Sequence, residues 1–184
     1  PKVSATVTQL MYEDFNEASD RYNWHDRTTQ SNAWTVADGV LKHEEWLGDG
    51  SHRWLAYDER VWFGRTQLVR VDFKWTEWCY SYGTIQNPEA GVHVLHQNGY
   101  RGYLLCRIVY RRQSNAWYFE LYEYDNDVWK NFQQYQIYSG LNSLQTNVWY
   151  KLTVMVDDDD GDLDYTIQMQ LAQGGTLLKL SLIH

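Results

Sequence analysis

From Val69 onward the apolar residues of this chain recur at every second position, and no other feature limits its fold so strongly. Val69, Val71, Phe73 and Trp75 alternate with Arg70, Asp72 and Lys74. Leu104, Cys106, Ile108 and Tyr110 alternate with Leu105, Arg107, Val109 and Arg111. The same holds for Trp117, Phe119 and Leu121, for Leu152, Val154 and Val156, and for Ile167, Met169 and Leu171. Successive side chains of a strand point to opposite faces, so this period marks half-buried antiparallel strands. Turn signals fall between the runs at Asp38-Gly39, Gly48-Asp49-Gly50, Asn98-Gly99, Asp160-Gly161 and Gly174-Gly175. No long window carries a helical stripe, and residues 13–22 suit a short helical turn at best. Many short strands with regular punctuation predict an all-β antiparallel sandwich or barrel. A chain of 184 residues has the size of one domain, spanning 1–184.

Composition narrows the class. Ten Trp, 15 Tyr and 5 Phe are far too many aromatics for a disordered chain. No stretch approaches the ~20 apolar residues of a membrane-spanning helix, so no membrane insertion is expected. The chain opens with Pro1 and no signal-like segment, which reads as a mature product or excised domain. The net charge of −8 is local, because Glu120 to Asp164 holds ten acids and two bases while the remainder is balanced. An acidic chain with no basic stripe is a poor nucleic-acid binder, since phosphate neutralisation supplies most of that affinity. Arg101, Arg107, Arg111 and Arg112 could hold an anion, but a solvated strand face and turn is the plainer reading. Cys79 and Cys106 allow one disulfide; Cys106 sits in an apolar run where a buried thiol is at least as good an account.

A local theme recurs. Gln30-Ser-Asn-Ala-Trp34 is repeated letter for letter as Gln113-Ser-Asn-Ala-Trp117, and Asp127-Val-Trp129 and Asn147-Val-Trp149 echo its end. Each puts a turn-forming Asn or Asp two residues before a Trp that starts a strand. The short polar side chain closes the turn and the Trp seals the mouth of the strand.

Four segments in order carry a resemblance: Asp14-Phe15; Trp34-Thr-Val-Ala-Asp-Gly-Val-Leu41; Gly91-Val-His-Val-Leu-His96 with Gly102-Tyr-Leu-Leu105; and Asn147-Val-Trp-Tyr-Lys-Leu-Thr-Val154. Together, over roughly residues 12–171, they resemble the concanavalin A-like (laminin-G-like) jelly rolls of lectins, carbohydrate-binding modules and glycan-active enzymes. The chain departs from that pattern in its apolar end, Leu177–His184, and in Asp157–Asp160. The resemblance implies two stacked antiparallel sheets, one of them bent, with a glycan on its concave face in members that bind one. Fold alone does not assign activity.

If Phe119 and Leu121 face the core, Tyr118, Glu120, Tyr122 and Tyr124 line the other face, where Arg107 and His93 can join them from neighbouring strands. Aromatic faces stack on the C–H face of a pyranose, and carboxylate, guanidinium and imidazole groups bond its hydroxyls. The bland alternative is a cross-strand ladder contributing ~0.2–1 kcal/mol per pair. A bulge would flip every assignment after it. Trp75 continues the core parity, whereas Trp46, Trp54, Trp62 and Trp78 lie beside turns, as end caps of the sandwich or as sugar platforms.

Asp157–Asp164 invites a calcium reading, yet with Gly161 at the sixth EF-hand position the first and twelfth would be Val156 and Ile167. A noncanonical calcium turn stays open, an acidic hairpin is the plainer account, and no other cofactor is implied. Catalysis finds little support. Glu120 and Glu123 would face opposite sides of a strand, so no glycosidase pair forms. Tyr118–Tyr124 superficially resembles an alginate-lyase strand, with Glu120 where a Lys stands and Tyr122 where a Gly stands. The sequence thus predicts a secreted carbohydrate-binding domain for a polysaccharide or glycoconjugate, with His93, Arg107, Tyr118, Glu120 and Tyr122 at the site. The alternatives are a jelly-roll lyase or hydrolase and a structural or adhesion module.

Overall fold

The computed structural model describes residues 24–26, 34–37, 40–43, 55–57, 66–78, 80–81, 84–85, 87–94, 102–125, 128–157 and 166–183. The chain divides into two compact units, Pro1–Trp62 and Phe63–His184. In the first, β1 (Trp24–Asp26) pairs antiparallel with β4 (Leu55–Tyr57). There β2 (Trp34–Ala37) also pairs with β3 (Val40–His43), Ala37 opposite Val40, on either side of the Asp38-Gly39 signal.

The second unit holds the five strands that the alternation predicts, β5 (Gln67–Phe73), β9 (Gly102–Arg111), β10 (Ala116–Asp125), β12 (Tyr150–Asp157) and β13 (Thr166–Gln173), together with β8 (Glu89–Val94), β11 (Val128–Ser139) and β14 (Thr176–Ile183), which it did not mark. A short pair, β6 (Tyr80–Ser81) and β7 (Thr84–Ile85), lies between β5 and β8. One antiparallel sheet runs β11-β10-β9-β8 and another β14-β13-β12-β5. No α-helix occurs among the described residues. The described residues of this second unit form an all-β antiparallel sandwich.

Both sheets turn one face inward. Leu104, Cys106, Ile108, Trp117, Phe119 and Leu121 of the first pack with Leu152, Val154, Val156, Ile167, Met169 and Leu171 of the second in one buried cluster. Burying each large aliphatic or aromatic side chain contributes on the order of 1.5–3 kcal/mol. Cys106 is a free, buried thiol, as its apolar run suggested, and burial pushes its pKa far above the ordinary value. Cys79 lies outside the described residues.

One end of this sandwich is aromatic. Trp75 packs 5.0 Å from both Phe73 and Trp117, and Trp78 lies 5.6–5.7 Å from Trp75 and Trp117. Tyr110 and Tyr150 complete the cluster. Trp75 and Trp78 therefore belong with the core and its cap; Trp46, Trp54 and Trp62 lie outside the described residues.

The repeated turn device is visible twice. Asn115 adopts φ +49°, its N–H donates to the Arg112 carbonyl, and its side-chain oxygen accepts from the Tyr110 hydroxyl at 2.8 Å. Asn tolerates this left-handed region better than most residues. Two residues later Trp117 is fully buried and donates to the Leu141 carbonyl at 2.9 Å. Asn147 repeats the backbone at φ +60° and donates to the Thr76 carbonyl. Trp149, by contrast, does not seal its strand: it is 44 % exposed, with the Lys74 ammonium 5.1 Å from its ring centre. Parity explains the difference, because Tyr150 takes the inward position of β12.

Candidate functional site

The register of the first sheet decides which outward side chains meet. Gly91 of β8 lies opposite Arg107 of β9, which lies opposite Glu120 of β10, which lies opposite Gln134 of β11. The flanking row on one side is Glu89, Val109, Tyr118 and Gln136, and on the other His93, Leu105, Tyr122 and Phe132. The sheet does contain irregularities, between Trp117/Tyr118 and Glu123/Tyr124. In both, the extra residue belongs to β11, so the parity of β10 runs on unbroken. All five residues singled out from the sequence therefore share one face.

They do not share one role. Glu120 is fully buried and Arg107 is 4 % exposed. The Glu120 carboxylate accepts from Arg107 Nε at 3.0 Å and Nη2 at 2.8 Å, and from Arg111 Nε at 2.7 Å and Nη2 at 2.6 Å. Arg107 Nη1 donates to Glu89 at 2.6 Å. The Arg107 guanidinium also lies under the Tyr122 ring, 4.8 Å from its centre, within the range of a cation–π contact. Arg107 and Arg111 are thus parts of an ionic network, and Arg107 is not on a solvated strand face. Arg112 is exposed on the turn, while Arg101 lies outside the described residues.

Glycine is required at position 91. A Cβ there would sit 2.5 Å from Arg107 Cβ and 2.6 Å from the Cys106 carbonyl, closer than real contacts allow. The absent side chain lets β8 approach β9 beside the arginine.

Above the network lies an open depression of about 310 Å³, lined by Arg111, Gln113, Ser114, Tyr118, Tyr122, Phe132 and Gln134. Tyr122 and Phe132 form its aromatic wall, with ring centres 4.5 Å apart at 34°. Arg111 joins it to the buried network, donating through Nη2 to the Tyr122 hydroxyl at 3.2 Å. Burial by itself would lower the Arg111 pKa, but hydrogen bonds and charge from Glu120 and Tyr122 raise it above the ordinary arginine value. Arg111 accordingly stays cationic at every physiological pH.

Of the five expected site residues, Tyr118 and Tyr122 line the depression and Arg107 and Glu120 lie buried in the network. His93 is half-buried on β8, two strands from Tyr122 and so about 10 Å across the sheet, and does not line it. Sequence reasoning named Arg111 only within an arginine cluster that could hold an anion, and missed Gln113, Ser114, Phe132 and Gln134. Arg111 had the right parity, and only its pairing with Glu120 distinguishes it from a solvated residue. Gln113 and Ser114 belong to a turn that the repeat marked. Phe132 and Gln134 were hidden because the β11 bulges break the alternation.

Among the described residues no cluster of acids, histidines or cysteines could hold a metal. Asp157 ends β12 and accepts from the Thr66 hydroxyl at 2.7 Å; the rest of the Asp157–Asp164 run lies outside the described residues. No protein-family model, curated protein or solved structure matches the chain.

Proposed function

We propose that this protein is a secreted, non-catalytic carbohydrate-binding domain of the concanavalin A-like jelly-roll kind. In this reading it is lectin-like and engages a polysaccharide or glycoconjugate glycan at the depression over Tyr118 and Tyr122. The observation that carries the reading is the pairing of a Tyr122–Phe132 wall with guanidinium, amide and hydroxyl groups around one space of about 310 Å³. That is the low end of the roughly 300–1,000 Å³ of small-ligand sites. An apolar wall suits the C–H face of a pyranose, and Gln113, Ser114, Gln134 and Arg111 suit its hydroxyls.

The network favours binding over chemistry. A general acid or base must reach the proton it transfers, and the buried Glu120 already accepts four guanidinium hydrogen bonds. A lyase of this fold needs an arginine to neutralise a uronate, but Arg107 is held by Glu120 and Glu89.

A glycan array followed by calorimetry tests the proposal. Tyr118→Ala and Phe132→Ala are each expected to weaken the best-retained glycan about tenfold or more, a loss of ~1.4 kcal/mol or more, with the circular dichroism unchanged. If the wild-type protein retains no glycan at high concentration, the reading fails and a structural or adhesion module takes its place. New unsaturated ends released from polyuronates, detected by absorbance, would turn it into a lyase.

A further inference from the structure

The hydrogen bonds of Arg111 limit what kind of sugar the depression can take. A guanidinium has five N–H donors and grips a carboxylate best with two parallel bonds from two different nitrogens. Two such edges exist, one made by Nε with Nη2 and the other by Nη1 with Nη2. Arg111 Nη2 donates to Glu120 at 2.6 Å and to the Tyr122 hydroxyl at 3.2 Å, so both of its N–H groups are committed. Arg111 Nε is committed to Glu120 as well. Among the described residues only Nη1 keeps uncommitted donors, and a single nitrogen cannot form the two-pronged grip. It can still donate to one or two hydroxyls.

The second guanidinium gives an acid no help. Arg107 is buried, with Nε and Nη2 on Glu120 and Nη1 on Glu89. Among the described residues, the hydrogen bonds of both guanidinium groups thus run to Glu120, Glu89 and Tyr122, with Arg112 exposed on the neighbouring turn. The other polar groups around the depression, Gln113, Ser114 and Gln134, are uncharged.

From this we infer that the ligand is a neutral pyranose, selected against uronates because Glu120 occupies the gripping edge of Arg111. The inference rests on the glycan-binding reading above and names its substrate class. In it Glu120 is a positioning residue, which holds Arg111 with one nitrogen turned to hydroxyls.

Calorimetry with matched oligosaccharides that differ only at C6 tests this: galactan against galacturonan, glucan against glucuronan, and mannan against mannuronan. The neutral member of at least one pair is expected to bind, its uronate counterpart at least about tenfold more weakly. The neutral affinity should not change between about 0.05 M and about 0.5 M salt, because no ion pair is formed. A uronate that binds as tightly as its neutral counterpart, and weakens as salt rises, would overturn the inference and leave the glycan reading standing. Failure of every member of every pair would sink both. Glu120→Gln frees the Arg111 edge and should bring the uronate within about threefold of the neutral sugar. A folded variant that still rejects uronates would contradict the role given to Glu120, and if the variant does not fold the wild-type panel decides the matter.

Discussion

The two sheets of the sandwich have the same inward pattern and opposite outward ones. On β5 and β12 the residues facing away from the core, Leu68, Arg70, Asp72, Lys151 and Met155, are exposed. On β9 and β10 the corresponding residues include Arg107, Val109, Ala116 and Glu120, and all four are buried. Each face carries an ion pair. Lys151 and Asp72 meet at 3.6 Å with side chains 49 % and 61 % exposed, whereas Arg107 and Glu120 meet at 2.8 Å with almost no exposure. A surface pair gains little because water and salt screen it and two long side chains must be held still. A buried pair is hardly more stabilising than well-packed apolar groups, but removing one partner strands a charge out of water. Alternation alone tells which residues look away from the core, not whether they look at solvent.

The largest effect should come from breaking the buried network. Glu120→Ala is expected to cost about 3–5 kcal/mol in urea unfolding, because it leaves Arg107 buried with one carboxylate where it had two. An effect below about 1 kcal/mol would mean that the two outward faces are energetically alike. Next comes the close approach that makes room for Arg107. Gly91→Ala forces a Cβ against the Arg107 backbone and should cost about 1–3 kcal/mol, with weaker glycan retention if the depression depends on the network.

The core between the faces offers a pH-dependent check. Burial raises the Cys106 pKa in the folded state well above the ordinary thiol value of about 9. The stability it contributes is complete below pH about 9 and is lost as pH rises above it, since unfolding then releases the thiol proton. The slope should approach about 1.4 kcal/mol per pH unit and vanish in Cys106→Ala. Thiol alkylation at Cys106 should follow unfolding; rapid labelling of the folded protein would place this residue outside a dry core. The smallest effects belong to the second outward face. Asp72→Ala and Leu180→Ser should each stay within about 0.5 kcal/mol of the wild type, and neither should change glycan binding. A larger loss from Leu180→Ser would reveal that the exposed leucines of β14 are covered in solution.

Much of the fold was legible because strand parity is a strict two-state variable. Val69, Cys106, Phe119, Val154 and Met169 all face inward as the alternation predicts. So was the shared face of His93, Arg107, Tyr118, Glu120 and Tyr122, since no bulge interrupts β10. The site within that face was less legible. Arg107 and Arg111 look alike in sequence, yet one is buried under Tyr122 and the other borders the depression. Asn115 and Asn147 announced turns equally well, but only the Trp after the first is buried, because the next strand begins on a different parity.

The sequence by itself determined the alternating strands, their inward faces, the turns at Asn115 and Asn147, and the apolar setting of Cys106. Each follows from local chemistry: side-chain alternation, the tolerance of Asn for positive φ, and apolar transfer. Only the tertiary structure decided that Glu120 is shared between two arginines and saturated by them. It alone decided that the β11 bulges place Phe132 and Gln134 beside Tyr122, and that His93 stands apart from the depression. Those are matters of cross-strand register and depth, which depend on residues far apart in the chain. Among the described aromatics, Phe73, Trp75, Trp78, Tyr110, Trp117 and Tyr150 close one end of the core, and Tyr122 and Phe132 form the wall that faces the proposed sugar.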